Sequence, residues 1–336
     1  MKSSVADSDP SPLCCCEYHN TAGERSHLLA LCCDCEALDQ AVDRMVSGRE
    51  VKSEMVREII DVVEERLRFP WKNGAVQIPL GKILPMVMLP SMLWLATLHP
   101  YLVVITFLLL LPSVFLIAVR TVIKHRPQTQ FFLFWSYSSA AFLFYVYEVK
   151  CVGLFWDLPK VISWWENLVL VGGSALSVGC YRRMRREARR RRNSDGRMCK
   201  ICEENVVGKD HHCVWLDMCI SSSNRKTFLL FLTITIMTAI HLALLLTSAA
   251  CPGQLVGPVL LPELCWPYKE NDRLLLVVGL YSGVVGGMLA LLLVEQVSRS
   301  CRRGVVGGSA LSMWSLRIPH WLFHIYCLLV NYNIIT

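Results

Sequence analysis

The sequence has little charge. Asp, Glu, Lys and Arg make up 18% of its 336 residues, whereas hydrophobic residues make up 54%. Soluble domains carry about 25% charged residues, so this composition excludes an ordinary soluble protein. The balance of 34 Lys and Arg against 27 Asp and Glu gives a net charge of only +7. That excess does not indicate a nucleic-acid-binding protein, and we expect no nucleic-acid partner.

Two features of secreted proteins are also missing. No short basic leader with an apolar run and a small-residue cleavage site opens the sequence, so we expect no cleaved signal peptide. The sixteen cysteines fall into separate clusters and into apolar segments of a long chain. This is not the spacing of a small disulfide-rich domain, and that class is excluded as well.

Long apolar runs, by contrast, are abundant. A helix that crosses a bilayer needs about 20 predominantly apolar residues. Six segments approach or reach that length, although the first is interrupted by Pro85 and Pro90. We therefore predict an all-α integral membrane protein with about six transmembrane helices. The segments run from about 83 to 98, 101 to 123, 131 to 147, 161 to 180, 228 to 250 and 274 to 294.

Basic residues flank alternate apolar segments. They are densest at 182–192, directly after the fourth segment, and recur before the first, after the second and after the sixth. Because cytosolic loops are enriched in Lys and Arg, both termini and the 182–227 loop are predicted to face the cytosol. The arginine run serves topology in the simplest interpretation. Attraction to anionic lipid, or to the phosphates of a ligand, is the alternative.

These features divide the chain into five regions. The first is a cytosolic N-terminal region with two cysteine clusters and an amphipathic helix between Glu36 and Leu67. Its cysteines have no regular spacing, so a second metal site, acylated cysteines and exposed thiols remain alternatives. The regions are 1–82 (N-terminal), 83–181 (transmembrane helices 1–4), 182–227 (cysteine-rich cytosolic domain), 228–297 (transmembrane helices 5 and 6) and 298–336 (C-terminal tail).

The cytosolic loop contains a compact set of metal ligands. Cys199 and Cys202 have the C-x-x-C spacing that lets two thiolates hold one ion from a tight turn, and His212 and Cys219 can supply a third and a fourth ligand. Such a Cys₃His site is closed, so we predict one structural zinc that shapes the loop and does no chemistry. Free cytosolic thiols without a metal are the alternative.

Three further residues of the same loop, Asp210, His211 and Cys213, are not needed as metal ligands. A cysteine becomes a strong nucleophile when a neighbouring histidine stabilises its thiolate, and an aspartate can hold that imidazole in the useful tautomer. We interpret Cys213 as a nucleophile, His211 as its base and Asp210 as the orienting acid. Spacing alone leaves this interpretation open, because adjacent Cys and His residues are also frequent in zinc ribbons.

The Asp-His-His-Cys tetrad at 210–213, together with Cys219, Asn224 and Phe228, resembles the cysteine-rich domain of the DHHC protein S-acyltransferases. The Leu-Cys-Cys-Cys-Glu-Tyr segment at 13–18 and the six-span layout resemble in particular the vertebrate branch numbered 23. The resemblance covers the N-terminal region, the spans and the core motif, and it weakens toward the C-terminal tail.

The resemblance implies a two-step transfer of a palmitoyl group. Cys213 would attack the thioester of palmitoyl-CoA, become acylated and pass the acyl chain to a cysteine of a cytosolic or membrane-associated substrate protein. The acyl chain would lie among the spans. The family also implies a Golgi membrane, with the endoplasmic reticulum and the plasma membrane as alternatives.

Individual residues receive roles from the same resemblance. His211 matches the general base of the family, and Asp210 matches its orienting acid. Asn224 matches a residue that structures the surroundings of the active site. Arg225 and Lys226, which follow it, are expected in the vicinity of the acyl-CoA.

The sequence departs from the family at the first of its two zinc sites. That site needs an upstream C-x-x-C pair, a His just before Cys199 and another Cys after Cys202. No upstream pair lies near, and Met198 and Asn205 stand at the other two positions. The Thr-Thr-x-Glu element after the last span is replaced by residues 297–300. We therefore expect one zinc, and a catalytically weak membrane adaptor that keeps the fold is the alternative function.

Overall fold

The computed structural model describes most of the chain between Glu17 and Val306. The described residues are 17–20, 23, 25–27, 43–44, 46–49, 65–72, 74–118, 130–152, 163–190, 192–251, 266–267 and 269–306. The two N-terminal cysteine clusters, most of the predicted amphipathic helix and the tail after Val306 lie outside them. The chain forms two compact units, Met1–Leu84 with Thr121–Thr129, and Pro85–Arg120 with Gln130–Thr336.

The first unit contains two short antiparallel hairpins that contact each other. The guanidinium of Arg68 lies 3.9 Å from the ring centroid of Tyr18, which is a cation–π contact. The N–H of Ala75 donates to the carbonyl of Glu17 at 2.7 Å. The strands are β1 (Glu17–His19) paired with β2 (Arg25–His27), and β3 (Arg68–Phe69) paired with β4 (Val76–Gln77).

The rest of the described chain is mainly helical and carries two further hairpins. The helices are α1 (Leu80–Ala96), α2 (Pro100–Ile105), α3 (Leu111–Ile117), α4 (Phe131–Val146), α5 (Trp164–Arg190), α6 (Arg225–Ala250) and α7 (Glu270–Val306). Single π-helical segments, Thr106–Leu110 and Tyr147–Val152, connect α2 to α3 and extend α4. The strands are β5 (Arg192–Cys199), β6 (Glu204–Val206), β7 (Lys209–Cys213) and β8 (Met218–Ser221).

Three helical stretches in the described residues are long and apolar enough to cross a membrane. They are Pro100–Ile117, Arg225–Ala250 and Asp272–Ser298, with mean hydropathies of 2.4, 2.4 and 2.2. Gly81–Ala96 is a shorter apolar helix. This is the pattern of a multi-pass membrane protein, as the composition predicts. The total of six spans stays a prediction.

The arginine run is helical instead of forming part of a loop. Helix α5 continues through Arg190, so the cysteine-rich hairpins occupy a shorter stretch than the predicted 182–227 loop. Arg, Glu, Ala and Met are strong helix formers, and Arg183 pairs with Glu187 one turn later at 2.9 Å. These local preferences extend the helix beyond its apolar part.

Helices α6 and α7 approach each other closely through small residues of α7. The hydroxyl of Ser282 donates to the carbonyl of Ala239 at 2.8 Å. A Cβ atom added to Gly279 would lie 2.9 Å from Cγ2 of Thr247 and 3.1 Å from Cβ of Leu246. Membrane helices associate by such close packing, because lipid tails remove the hydrophobic drive between them.

We expect Gly279→Ala to lower the thermal stability of the protein, because overpacking a tight contact costs about 1–3 kcal/mol. Gly287→Ala is the matched control on the same helix, since no atom lies within 4 Å of its added Cβ. Thermal unfolding of both variants in the same detergent measures the difference. Equal midpoints for the two variants would contradict the close α6–α7 contact.

Candidate metal and thiol site

The two hairpins place their ligands through tight turns with unusual backbone. After Cys202, the chain turns at Glu203, whose φ is +56° and whose N–H donates to the carbonyl of Cys199 at 2.7 Å. The second hairpin is entered at Gly208, with φ of +64°. A side chain at Gly208 would also meet the hydroxyl of Ser222. Glycine therefore suits this position for two steric reasons, the positive φ and the lack of room beside Ser222.

The structure brings all four predicted metal ligands together. In the β7–β8 register, His212 lies directly opposite Cys219. Cys199 and Cys202 approach this pair from the first hairpin. The four ligand atoms all lie within 4.8 Å of one another. Nδ1 of His212 lies 3.2 Å from Sγ of Cys202, 3.7 Å from Sγ of Cys219 and 3.9 Å from Sγ of Cys199.

These separations fit a tetrahedral zinc ion. With Zn–S bonds of about 2.3 Å and a Zn–N bond of about 2.0 Å, tetrahedral geometry puts two sulfurs about 3.8 Å apart and a sulfur and a nitrogen about 3.5 Å apart. The Cys202 and Cys219 sulfurs are 3.6 Å apart. Hydrogen bonds from Cys202 and Cys219 lower the pKa of the Cys199 thiol, whereas hydrogen bonds from Cys199 and Cys202 raise that of the Cys219 thiol. The cluster is compatible with one structural zinc.

Asp217 supports the histidine of this cluster from the other side. Its Oδ1 lies 3.8 Å from Nε2 of His212, the ring nitrogen that does not face the sulfurs. Its Oδ2 accepts from the side-chain amide of Gln130 at 3.3 Å. Ligating histidines commonly hold their second nitrogen against a carboxylate, which fixes the tautomer and the ring orientation. Asp217 could not be predicted from the sequence, because a lone acidic residue two positions before a cysteine has no characteristic spacing.

Cys213 follows His212 on β7, but it belongs to an apolar cluster instead of the metal cluster. It is 8% exposed and packs with Met218 and Ile220 of β8, Met184 of α5 and Phe228 of α6. The cluster continues along α6 through Leu232 and Ile236 and is flanked by residues of α7, including Leu289 and Leu293. The thiol therefore lies where the hairpin meets the helices.

His211 lies on the same strand, buried between an acid and the thiol. Its Nδ1 atom is 3.5 Å from Oδ2 of Asp210, whose side chain is itself almost fully buried. The imidazole also contacts the ring of Phe228 in an edge-on arrangement. Burial lowers the pKa of His211, but the neighbouring Asp210 and Cys213 outweigh it and raise that pKa to about 9. The three residues predicted from the sequence are thus adjacent in space.

Asn224 fastens the second hairpin to helix α6. The residue is fully buried; its Oδ1 accepts from the N–H of Ser221 at 2.8 Å, and its Nδ2 donates to the carbonyl of Cys219 at 3.0 Å. Its own carbonyl accepts from the N–H of Phe228 at 2.9 Å. Arg225 and Lys226 follow in the first turn of α6, half-buried and exposed respectively.

The positions that depart from the family lie opposite each other. Met198 and Asn205 are direct cross-strand partners in the β5–β6 hairpin. The side chains of a methionine and an asparagine do not provide the thiolate and imidazole ligands of a zinc site of this type. Within the described residues, Cys199, Cys202, His212 and Cys219 form the one such cluster.

Comparison with known proteins agrees with this geometry. Residues 180–305 match the profile of the DHHC palmitoyltransferase family. This stretch is a DHHC palmitoyltransferase domain. It contains the whole metal cluster, the thiol and helices α6 and α7 almost to their ends, so the predicted resemblance to DHHC protein S-acyltransferases is confirmed.

Full-length relatives extend the likeness beyond the DHHC domain. Palmitoyltransferase ZDHHC23-B of Danio rerio is 29% identical over 88% of this chain and 84% of its own length. Palmitoyltransferase ZDHHC23 of Homo sapiens is 26% identical over 74% of this chain and 77% of its own length. The probable protein S-acyltransferase 12 of Arabidopsis thaliana is 36% identical over 18% of this chain and 25% of its own length. No solved structure matches.

We expect the purified chain to bind one zinc ion and Asp217→Asn to weaken its binding by about 10–100-fold, because the carboxylate holds the second nitrogen of His212. Glu270→Gln, an exposed acidic position at the start of α7, is the control and should leave zinc binding unchanged. Competition with a chelating dye, calibrated by elemental analysis, measures the affinity. Unchanged affinity in Asp217→Asn would remove Asp217 from the site.

Proposed function

We propose that this chain is a protein S-palmitoyltransferase. It would move a palmitoyl group from palmitoyl-CoA to cysteines of cytosolic or membrane-associated proteins through a thioester on Cys213. The observation that carries the proposal is the position of this thiol. On one side it adjoins His211, which contacts Asp210, and on the other it enters an apolar cluster that continues along α6. The relatives named as palmitoyltransferases support the same activity.

In the first half-reaction Cys213 acts first, as the nucleophile, and His211 then supplies a proton. The thiolate of Cys213 attacks the thioester carbonyl carbon of palmitoyl-CoA, a new C–S bond forms, and the bond to the sulfur of coenzyme A breaks. The leaving thiolate takes a proton from His211, whose imidazolium is stabilised by Asp210. In the second half-reaction His211 accepts the proton of a substrate cysteine, which attacks the acyl-enzyme and regenerates Cys213.

The surroundings of Cys213 supply a place for the acyl chain. Phe228, Leu232 and Ile236 lie one helical turn apart on one face of α6, and all three belong to the cluster around the thiol. An acyl chain that follows this row would pass from Cys213 toward the membrane interior. Each buried methylene contributes about 0.8 kcal/mol, so a long chain would bind there more tightly than a short one.

Zinc has a structural role in this proposal. Held by Cys199, Cys202, His212 and Cys219, it supplies no open coordination position for chemistry. His212 lies between His211 and Cys213 in sequence, so fixing its imidazole also fixes the backbone of the base and the nucleophile. Arg225 and Lys226 would meet the phosphates of the acyl-CoA at the start of α6.

The two ends of α6 support a cytosolic DHHC domain. The three cysteines of the metal cluster and Cys213, all near its first residue, are free thiols, whereas Cys251, directly after its last residue, is disulfide-bonded. Disulfides persist in oxidising compartments and are rare in the cytosol. We therefore place the DHHC domain and both termini in the cytosol and Cys251 on the opposite side, in a Golgi membrane.

A catalytically weak membrane adaptor is the second candidate. The cross-strand pair of Met198 and Asn205 favours it, because two ligand positions of a family zinc site have been lost at one place. An adaptor would keep the fold and bind partner proteins without forming a thioester on Cys213.

We expect Cys213→Ser to abolish hydroxylamine-labile labelling of the chain by an alkyne-tagged palmitate, because serine does not form a thioester. The N-terminal cysteines are replaced in all variants, so that passive acylation there does not mask the result. Cys180→Ser is the matched control. It removes another free thiol, on helix α5, and labelling should persist.

Label that persists in Cys213→Ser, or that is absent from a well-expressed chain with Cys213 intact, would overturn the enzymatic proposal. Retained partner binding in the same cells would then select the adaptor. Circular dichroism and zinc content of each variant distinguish these outcomes from simple unfolding.

A further inference from the structure

A cleft of about 590 Å³ lies on the flank of α5, and arginines dominate its lining. It is formed at the point where α5 changes from apolar to basic. Its lining includes Tyr137 of α4 and Tyr181, Arg182, Arg185, Arg186 and Arg189 of α5.

The arginines of the cleft form a separate face of the helix. Met184, which is fully buried, points into the cluster around Cys213. At about 100° per residue, the four arginines point on average about 150° away from it. All four are exposed. The cleft is therefore turned away from the thiol and is not part of the proposed active site.

No described carboxylate neutralises the positive charge of this face. None of its four arginines has an ion pair with a carboxylate in the described part of the chain, whereas Arg183, on the adjacent face, pairs with Glu187 at 2.9 Å. Glu187 also accepts from the hydroxyl of Thr227 on α6 at 3.1 Å. The nearby acidic side chain is thus directed to the packed face of α5, and the cleft keeps its charge.

Two tyrosines order the membrane end of the cleft. The hydroxyls of Tyr137 and Tyr181 are 2.8 Å apart, and Nη1 of Arg185 donates to the Tyr181 hydroxyl at 3.2 Å. Below them, Val178 lines the cleft and is about half exposed. Tyrosines are enriched at the boundary between membrane and water. The cleft therefore opens at the level of lipid headgroups.

We propose that this cleft binds the phosphate headgroup of an anionic membrane lipid, with a phosphomonoester lipid as the preferred ligand. Guanidinium groups bind phosphate oxygens in a bidentate manner, and two arginines one turn apart can hold one phosphate from both sides. The apolar lining at Val178 suits the lipid chains below the headgroup. The phosphates of palmitoyl-CoA have the same chemistry, but the cleft faces away from Cys213, which favours the lipid.

The test uses the full-length protein in phosphatidylcholine nanodiscs that contain a few per cent of a fluorescent phosphatidylinositol 4-phosphate. We expect the double variant Arg182→Gln, Arg186→Gln to bind this lipid about 25-fold more weakly, because each basic residue near the membrane surface that is not paired with a carboxylate contributes about fivefold. The matched control, Arg183→Gln, Arg197→Gln, removes the same charge outside the cleft and should change binding less than threefold. Fluorescent phosphatidylserine at the same content tests the preference for a phosphomonoester.

Three results would overturn the proposal. If both double variants lost lipid binding equally, the loss would be due to general surface charge and not to the cleft. Equal binding of the two anionic lipids would remove the phosphomonoester preference. Displacement of the lipid by free coenzyme A, together with an equal loss of coenzyme A binding in the cleft variant, would assign the cleft to the acyl donor. Binding is measured without turnover, so the result does not depend on the proposed function.

Discussion

The convergence of three sulfurs and one imidazole is the constraint on which the site depends. The hairpins that carry them have strands of three to eight residues, and isolated hairpins of this size are marginally stable at best. A structural zinc contributes on the order of 10 kcal/mol to a small domain, which is far more than their few apolar contacts provide. With His212 and Cys219 fixed opposite each other, the positions of His211 and Cys213 follow from the strand itself.

The metal cluster alone would not attach the β7–β8 hairpin to the membrane helices. Buried polar contacts make the connection: Asn224 joins β8 to α6, and Gln130 reaches Asp217 from the start of α4. Apolar contacts of Cys213 with Met184 and Phe228 complete it. The same strand therefore places His211 beside the buried Asp210 and Cys213 against the apolar helices. The proposed acyl transfer between a soluble thioester and a membrane-bound chain requires this combination.

The sequence predicted the ligands and the thiol because their chemistry requires particular residue types at short spacing. The C-x-x-C pair and the His-His-Cys run satisfy that condition, and the structure brings them together. Asp217 and the cleft on α5 could not be predicted, because they depend on side chains from different elements. Charge patterning predicts a cytosolic loop at the arginine run, but the helix propensity of its residues continues α5 through Arg190. The apolar segments that form spans can be recognised from consecutive residues alone. The pairing of α6 with α7 through Gly279 cannot, because it depends on contacts between residues that are distant in sequence.

The departure from the family at its first zinc site, at Met198 and Asn205, bears directly on whether the domain is competent. The remaining cluster takes two ligands from each region, Cys199 and Cys202 from the first hairpin and His212 and Cys219 from the second. One ion bound there would therefore clamp both hairpins, and Val206 packs with Cys199 and Cys219 at the same contact. The lost site would have involved Met198 and Asn205, which instead pair across β5 and β6. The hairpin that carries Cys213, the proposed nucleophile, keeps both of its own ligands, His212 and Cys219, and this favours the proposed enzyme over an adaptor.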